Sequence, residues 1–167
     1  MLTVLLPNGL SAVYGPTSAR RNDIDSVNMS HLNDYLLQIQ QNEPTKYCVF
    51  GDGIFHPLTV FESAIRSYNR PAENAPLTAY QEYENKVFRK LRVSIEHSYA
   101  DIDNHFAITD VKREWKLFGR GAETRDVLNA KLKLIFFFQN CYACTHGTSA
   151  SKRYNCSRPT LSEYLGV

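Results

Sequence analysis

Residues 2–14 read Leu2-Thr3-Val4-Leu5-Leu6-Pro7-Asn8-Gly9-Leu10-Ser11-Ala12-Val13-Tyr14. Two apolar segments flank Asn-Gly. Both of those residues tolerate positive φ, which makes the dipeptide a strong hairpin signal. The pattern predicts antiparallel strands over residues 2–6 and 10–14, with Gly15-Pro16 closing the second. The chain therefore opens inside a buried-looking strand.

Working outward, residues 15–30 are polar and predict a loop. Within it, Arg20, Arg21, Asn22 and Asp23 are either substrate contacts or part of a solvated turn. Ser30 is placed to cap a helix over 31–41, with Leu32, Tyr35, Leu36 and Ile39 on one face, and Glu43-Pro44 ends it. Lys46 to Phe50 is β-rich and runs into Gly51-Asp52-Gly53. An aspartate between glycines at a strand end has an open approach that suits a metal ligand, and the same tripeptide is an ordinary turn. Cys48 is expected to be a buried thiol. His56 is a further candidate ligand in the loop after Asp52, and residues 59–68 are expected to form a short helix before the breaks at Pro71 and Pro76.

Thr78, with Gln81 three residues on, forms a capping box ahead of a run without Pro or Gly from Ala79 to about Phe106. Phe88, Leu91, Ile95, Tyr99, Ile102 and Phe106 recur at helical spacing and form one stripe. Glu96 follows Ile95 and so lies about 100° around from that stripe. Arg92 is one turn earlier on the same side, with Asn85 and Asp103 nearby. This side is either a solvated face with an ion pair or a carboxylate poised opposite Asp52.

In the last third, 115–121 is expected to be a packed corner and 123–139 a buried helix, chosen over a strand at 134–138. Cys141, Cys144, His146 and Cys156 have the donor types of a tetrahedral zinc site, or are thiols at the end of a packed helix. Residues 158–165 suggest a short helix capped by Thr160 or Ser162, so 141–167 is expected to be a Cys-containing docking tail on a single domain spanning 1–167.

The chain has 167 residues, 43% hydrophobic and 22% charged, with a net charge of +2. That length buries roughly two-thirds of its unfolded surface, so no disulfide or metal is needed to hold a core. The longest apolar run, residues 134–138, is far short of the ~20 residues that span a bilayer. Residues 1–7 lack the basic start of a signal peptide, and four cysteines do not make a secreted framework. An intracellular protein with free thiols and no membrane partner is the expectation. Near-neutral charge argues against a polyanion binder over the whole surface and leaves a local basic patch open.

Taken in order, several segments resemble one family. These are Pro7-Asn8-Gly9 leading to Tyr14-Gly15-Pro16, then Arg20-Arg21-Asn22-Asp23, then Gly51-Asp52-Gly53-Ile54-Phe55. Leu77-Thr78, Asn85, Arg92-Val93-Ser94-Ile95-Glu96, Asn140-Cys141-Tyr142 and Arg158 to Leu165 follow. The chain is similar to the DDE-superfamily endonucleases of Harbinger-type transposases, and 43 residues separate Asp52 from Glu96 as in that family.

The resemblance implies an α/β, ribonuclease H-like fold: a mixed sheet with flanking helices, the first strand missing and the C-terminal part helical. It implies phosphodiester hydrolysis and strand transfer on DNA by two divalent ions, Mg²⁺ or Mn²⁺, held by three carboxylates. Asp52 resembles the second of these and Glu96 the third. Arg92, Arg20 and Arg21 are the implied phosphate contacts. The position of Asp23 resembles a family His-Asp, with Asn22 standing where the family has His. The first catalytic Asp of the family lies upstream of the hairpin, before the position of Met1, so the polypeptide alone is expected to be inactive or nearly so. The alternative is a non-catalytic DNA-binding or interaction remnant with a basic surface formed by Arg20, Arg21, Lys86, Arg89, Lys90 and Arg92. A nuclear address and a separate DNA-binding partner protein are family implications. No basic run serves as a nuclear signal, and a cytoplasmic location is otherwise expected.

Overall fold

A computed structural model of the protein describes residues 2–15, 23–44, 48–51, 64–65, 76–106 and 122–167. The expected corner at 115–121 lies outside them. The described chain is mixed α/β and mostly helical. Its contacts divide it into two units, residues 3–16 with 94–167, and residues 17–93.

In the first unit, β1 (Leu2–Leu5) and β2 (Ser11–Tyr14) form the expected antiparallel hairpin. Its turn differs from a two-residue Asn-Gly turn. Gly9 N–H donates to the Leu6 carbonyl at 2.9 Å, and Leu6 N–H donates to the Leu10 carbonyl at 2.8 Å. Gly9 alone in the loop is left-handed, at φ 92°. The loop thus has three residues, Pro7-Asn8-Gly9. The reason is Pro7. A two-residue turn would set it opposite Leu10, and proline has no N–H to donate. Leu6 donates instead, and Asn8 turns its Oδ1 to accept the Leu10 N–H at 3.1 Å. Gly9 is also where the side chain of Thr148 presses against the turn, leaving no room for a Cβ.

The helices of this unit are the second half of α3 (Ala79–His105), α4 (Ala122–His146), α5 (Ser149–Tyr154) and α6 (Leu161–Leu165). Residues 134–138 are helical. Phe136 is buried, whereas Phe137 and Phe138 are half-exposed. A strand would have placed Phe136 and Phe138 on one face. α4 outruns the expected end at Gln139 because no Gly or Pro intervenes before Gly147, which is left-handed and donates its N–H to the Ala143 carbonyl at 2.9 Å. Cys141 and Cys144 therefore belong to α4. Ile102 of α3 packs with Ile135 and Phe136 of α4, and Val13, Phe106 and Leu132 close around them. This cluster binds hairpin, α3 and α4 into one core.

A polar contact completes the join. Ser11 N–H donates to Asn140 Oδ1 at 2.8 Å, and Asn140 Nδ2 donates back to the Ser11 carbonyl at 2.9 Å. The side-chain amide thus presents to β2 the donor and acceptor that a neighbouring strand would present. Nδ2 also reaches the Tyr164 hydroxyl at 3.1 Å. Asn140 and Ser11 are both buried, so water does not compete for these groups. α5 and α6 are each started by a capping box, Thr148 with Ser151 and Thr160 with Glu163. The Thr160 N–H and hydroxyl hold the Glu163 carboxyl below its ordinary range.

In the second unit, α1 (Asp23–Ser30) occupies part of the stretch read as a loop. Polar composition misleads there. Ile24 and Val27 are three residues apart and so share a helix face, Val27 is 2% exposed, and Ser26 beside it is buried. The Ser30 hydroxyl donates to the Val27 carbonyl at 2.7 Å and accepts the Leu32 N–H at 3.3 Å. The break before α2 (Leu32–Asn42) is His31, left-handed at φ 54°. Glu43 is extended, as a residue before proline should be, and α2 stops there. β3 (Val49–Phe50) pairs in parallel with β4 (Ala64–Ile65), Val49 opposite Ala64 and Phe50 opposite Ile65. This pairing replaces the short helix expected over 59–68 with strand at residues 64–65. Cys48 is exposed, contrary to the buried thiol expected, because it precedes the first paired residue of β3. The first half of α3 begins at the expected capping box. Thr78 N–H donates to Gln81 Oε1 at 3.0 Å, and Gln81 N–H donates to Thr78 Oγ1 at 3.2 Å.

Asn140→Ala leaves both backbone groups of Ser11 buried without partners and should cost about 2–4 kcal/mol in urea unfolding. Ser11→Ala should be neutral or stabilising, because it keeps both backbone bonds and removes a buried hydroxyl that has no partner. Glu163 has a depressed folded pKa, so its contribution is present above the unfolded pKa and is lost as pH falls through the folded one. Thr160 amide protection should therefore decline on acidification below the ordinary carboxylate range, and Glu163→Gln should abolish that pH dependence.

Candidate functional site

The two carboxylates singled out by sequence have different standing. Asp52 lies outside the described residues, as do Arg20, Arg21, Asn22 and His56. Asp23 is the first residue of α1. Glu96 is on α3, exposed, and Arg92 is exposed one turn before it. Both make interactions, so this is an engaged polar face.

Within the second unit, β3 is tied to the first half of α3. Phe50, the last residue of β3, stacks on Phe88 of α3 with ring centroids 5.0 Å apart and planes 18° from parallel. Phe88 belongs to the apolar stripe read from the sequence. Gly51 then leaves the strand, and Glu96 comes eight residues beyond Phe88 on the same helix.

Ser94, two residues before Glu96, is 2% exposed and was not part of the predicted stripe. Its Oγ accepts a bond from Arg153 Nη1 at 3.0 Å and one from the Tyr154 hydroxyl at 3.0 Å. The last turn of α5 thereby holds the middle of α3. The sequence signal was present but faint. Ser94 lies one turn after Leu91 and two turns before Ile102, so helical spacing puts it on the buried side. The partners, about 60 residues away, have no local signature.

A second cluster joins the ends of α3 and α4. The His105 ring lies against Tyr142, with centroids 4.4 Å apart, and Tyr142 stacks on His146 at 4.3 Å with planes 16° from parallel. His105 Nδ1 is 3.3 Å from Oε1 of the buried Gln139, and His146 Nδ1 is 2.7 Å from Thr145 Oγ1.

The cysteine reading resolves toward packing. Cys144 is buried, and burial pushes its thiol up, with the neighbouring Cys141 adding to the shift. Cys156 Sγ contacts the Tyr154 carbonyl at 3.6 Å, and His146 is engaged in the ring stack. Among the described residues no three His, Cys, Asp or Glu side chains form a group that could hold a metal ion. Cys141, Cys144, His146 and Cys156 are therefore not brought together as zinc ligands. Glu96 has the chemistry for a hard divalent cation, since an exposed carboxylate lets such an ion keep most of its water. Among the described residues no helix is long and apolar enough to cross a membrane.

No family model matches the chain, and no curated protein or solved structure matches it significantly.

Proposed function

We propose that the chain is a ribonuclease H-like nuclease domain of the DDE type found in Harbinger transposases. In this reading Asp52 and Glu96 are the second and third carboxylates for Mg²⁺ or Mn²⁺, DNA is the substrate, and Arg20, Arg21 and Arg92 contact its phosphates. The observation that supports the reading is the stacking of Phe50 on Phe88, which fixes β3, the strand just before Asp52 in the sequence, against the first half of α3. The ordered resemblance along the chain gives it its chemistry. When bound, the ions would activate the attacking oxygen and stabilise the leaving one. Arg92, one turn before Glu96 in the sequence of α3, would neutralise a phosphate beside the carboxylate.

A second reading is a DNA-binding domain of the same fold without catalysis. It draws on the exposed cations Lys86, Arg89, Lys90 and Arg92, which crowd the stretch of α3 leading to Glu96.

Two of the family's three carboxylates have counterparts here, so the test is metal binding. Mn²⁺ titrated into isotope-labelled protein should broaden the NMR signals of Asp52 and Glu96 together, and Asp52→Asn or Glu96→Gln should abolish the effect at both. Broadening that ignores both substitutions would contradict the nuclease reading. Salt-dependent binding of DNA with no effect of Mn²⁺ on either residue would favour the second.

A further inference from the structure

Tyr80, Tyr83, Lys86 and Arg89 are spaced three residues apart on the first half of α3. Such residues form a continuous row across a helix surface, each step rising about 4.5 Å along the axis. The two tyrosines are 67% and 66% exposed, and Lys86 and Arg89 are exposed as well. Beside the row lies an open cleft of about 590 Å³ whose lining includes Leu77, Glu82, Tyr83, Asn85, Lys86 and Arg89. Arg89 folds back over it, its Nε–H donating to the Asn85 carbonyl at 3.3 Å. The Thr78–Gln81 capping box pairs two backbone donors at the helix start, and the candidate contacts are those of the side chains along the row.

We propose that this row and its cleft bind single-stranded DNA, with Tyr83 stacking on an unpaired base and Lys86 and Arg89 holding the flanking phosphates. The inference rests on the DNA reading above and narrows the form of DNA this surface takes. Cations set among exposed aromatic rings are the pattern that grips a single strand, because each unpaired base offers a π-face and each linkage a charge. A duplex stacks its own bases and offers this surface phosphates alone. Glu82, the acidic residue in the cleft lining, tempers the charge and marks where affinity can be raised.

The test is fluorescence anisotropy with a labelled twenty-residue oligothymidylate and a duplex of the same length. All the substituted side chains are exposed or at the cleft edge, and circular dichroism checks that each variant keeps its helix. Lys86→Ala with Arg89→Ala should weaken single-strand binding at least about tenfold and flatten its dependence on log salt by about 1.4, two contacts' worth. Duplex binding should change far less. Tyr83→Ala should weaken single-strand binding about fivefold or more, and Tyr83→Phe should restore it. Glu82→Gln should tighten it. Unchanged single-strand affinity in these variants overturns the proposal. So does wild-type protein that binds the duplex and ignores the single strand, an outcome that leaves the DNA reading standing. Failure to bind either form at low salt removes both.

Discussion

The side-chain amide of Asn140 meets a constraint that the hairpin creates and cannot meet by itself. A two-stranded ribbon leaves an outer row of backbone donors and acceptors, and burying such groups unpaired is costly. At Ser11 the row is buried, and Asn140 supplies both partners. Its remaining donor goes to Tyr164, so one side chain on α4 engages β2 and α6 together. The amide is suited to this because it carries a donor and an acceptor side by side, as a peptide group does. Aspartate would present only acceptors, and leucine would present neither.

Other contacts around this point are arranged to the same end. Val13 of β2 joins Ile102 of α3 and Ile135 and Phe136 of α4, so apolar burial draws the same elements together that the amide holds in register. Hydrophobic burial has little direction, whereas the amide pair has a fixed geometry. The Thr148 side chain meets the turn at Gly9, and Arg153 and Tyr154 reach Ser94. The C-terminal helices thus fasten the hairpin at its turn and α3 at its midpoint. The segment of α3 so held is the one that carries Glu96.

What the sequence made legible follows its local rules. The hairpin, the capping box at Thr78 and Gln81, the apolar stripe of α3 and the cap at Thr160 all rest on residues within one or two turns of each other. The turn type was missed because Asn8-Gly9 outweighed Pro7, whose missing N–H excludes the shorter loop. Residues 23–30 were read by polarity, yet two apolar residues three apart were enough to set a helix. Ser94 and Asn140 enter the sequence reading only as members of longer motifs, and their structural roles are not legible there because their partners lie about 60 and 129 residues away, beyond any periodicity. The candidate site was legible only in part. Glu96 and Arg92 stand on α3 as helical spacing places them, and no local pattern in the sequence connects them to Asp52; that connection belongs to the proposed function.

Exchange of the Ser11 amide hydrogen tests the clamp most directly. If Asn140 is its partner within a cooperative core, that hydrogen should exchange only with global unfolding, and its free energy of exchange should match the stability from urea unfolding. Exchange at the rate of an exposed loop amide, or protection unchanged in Asn140→Ala, would contradict the account.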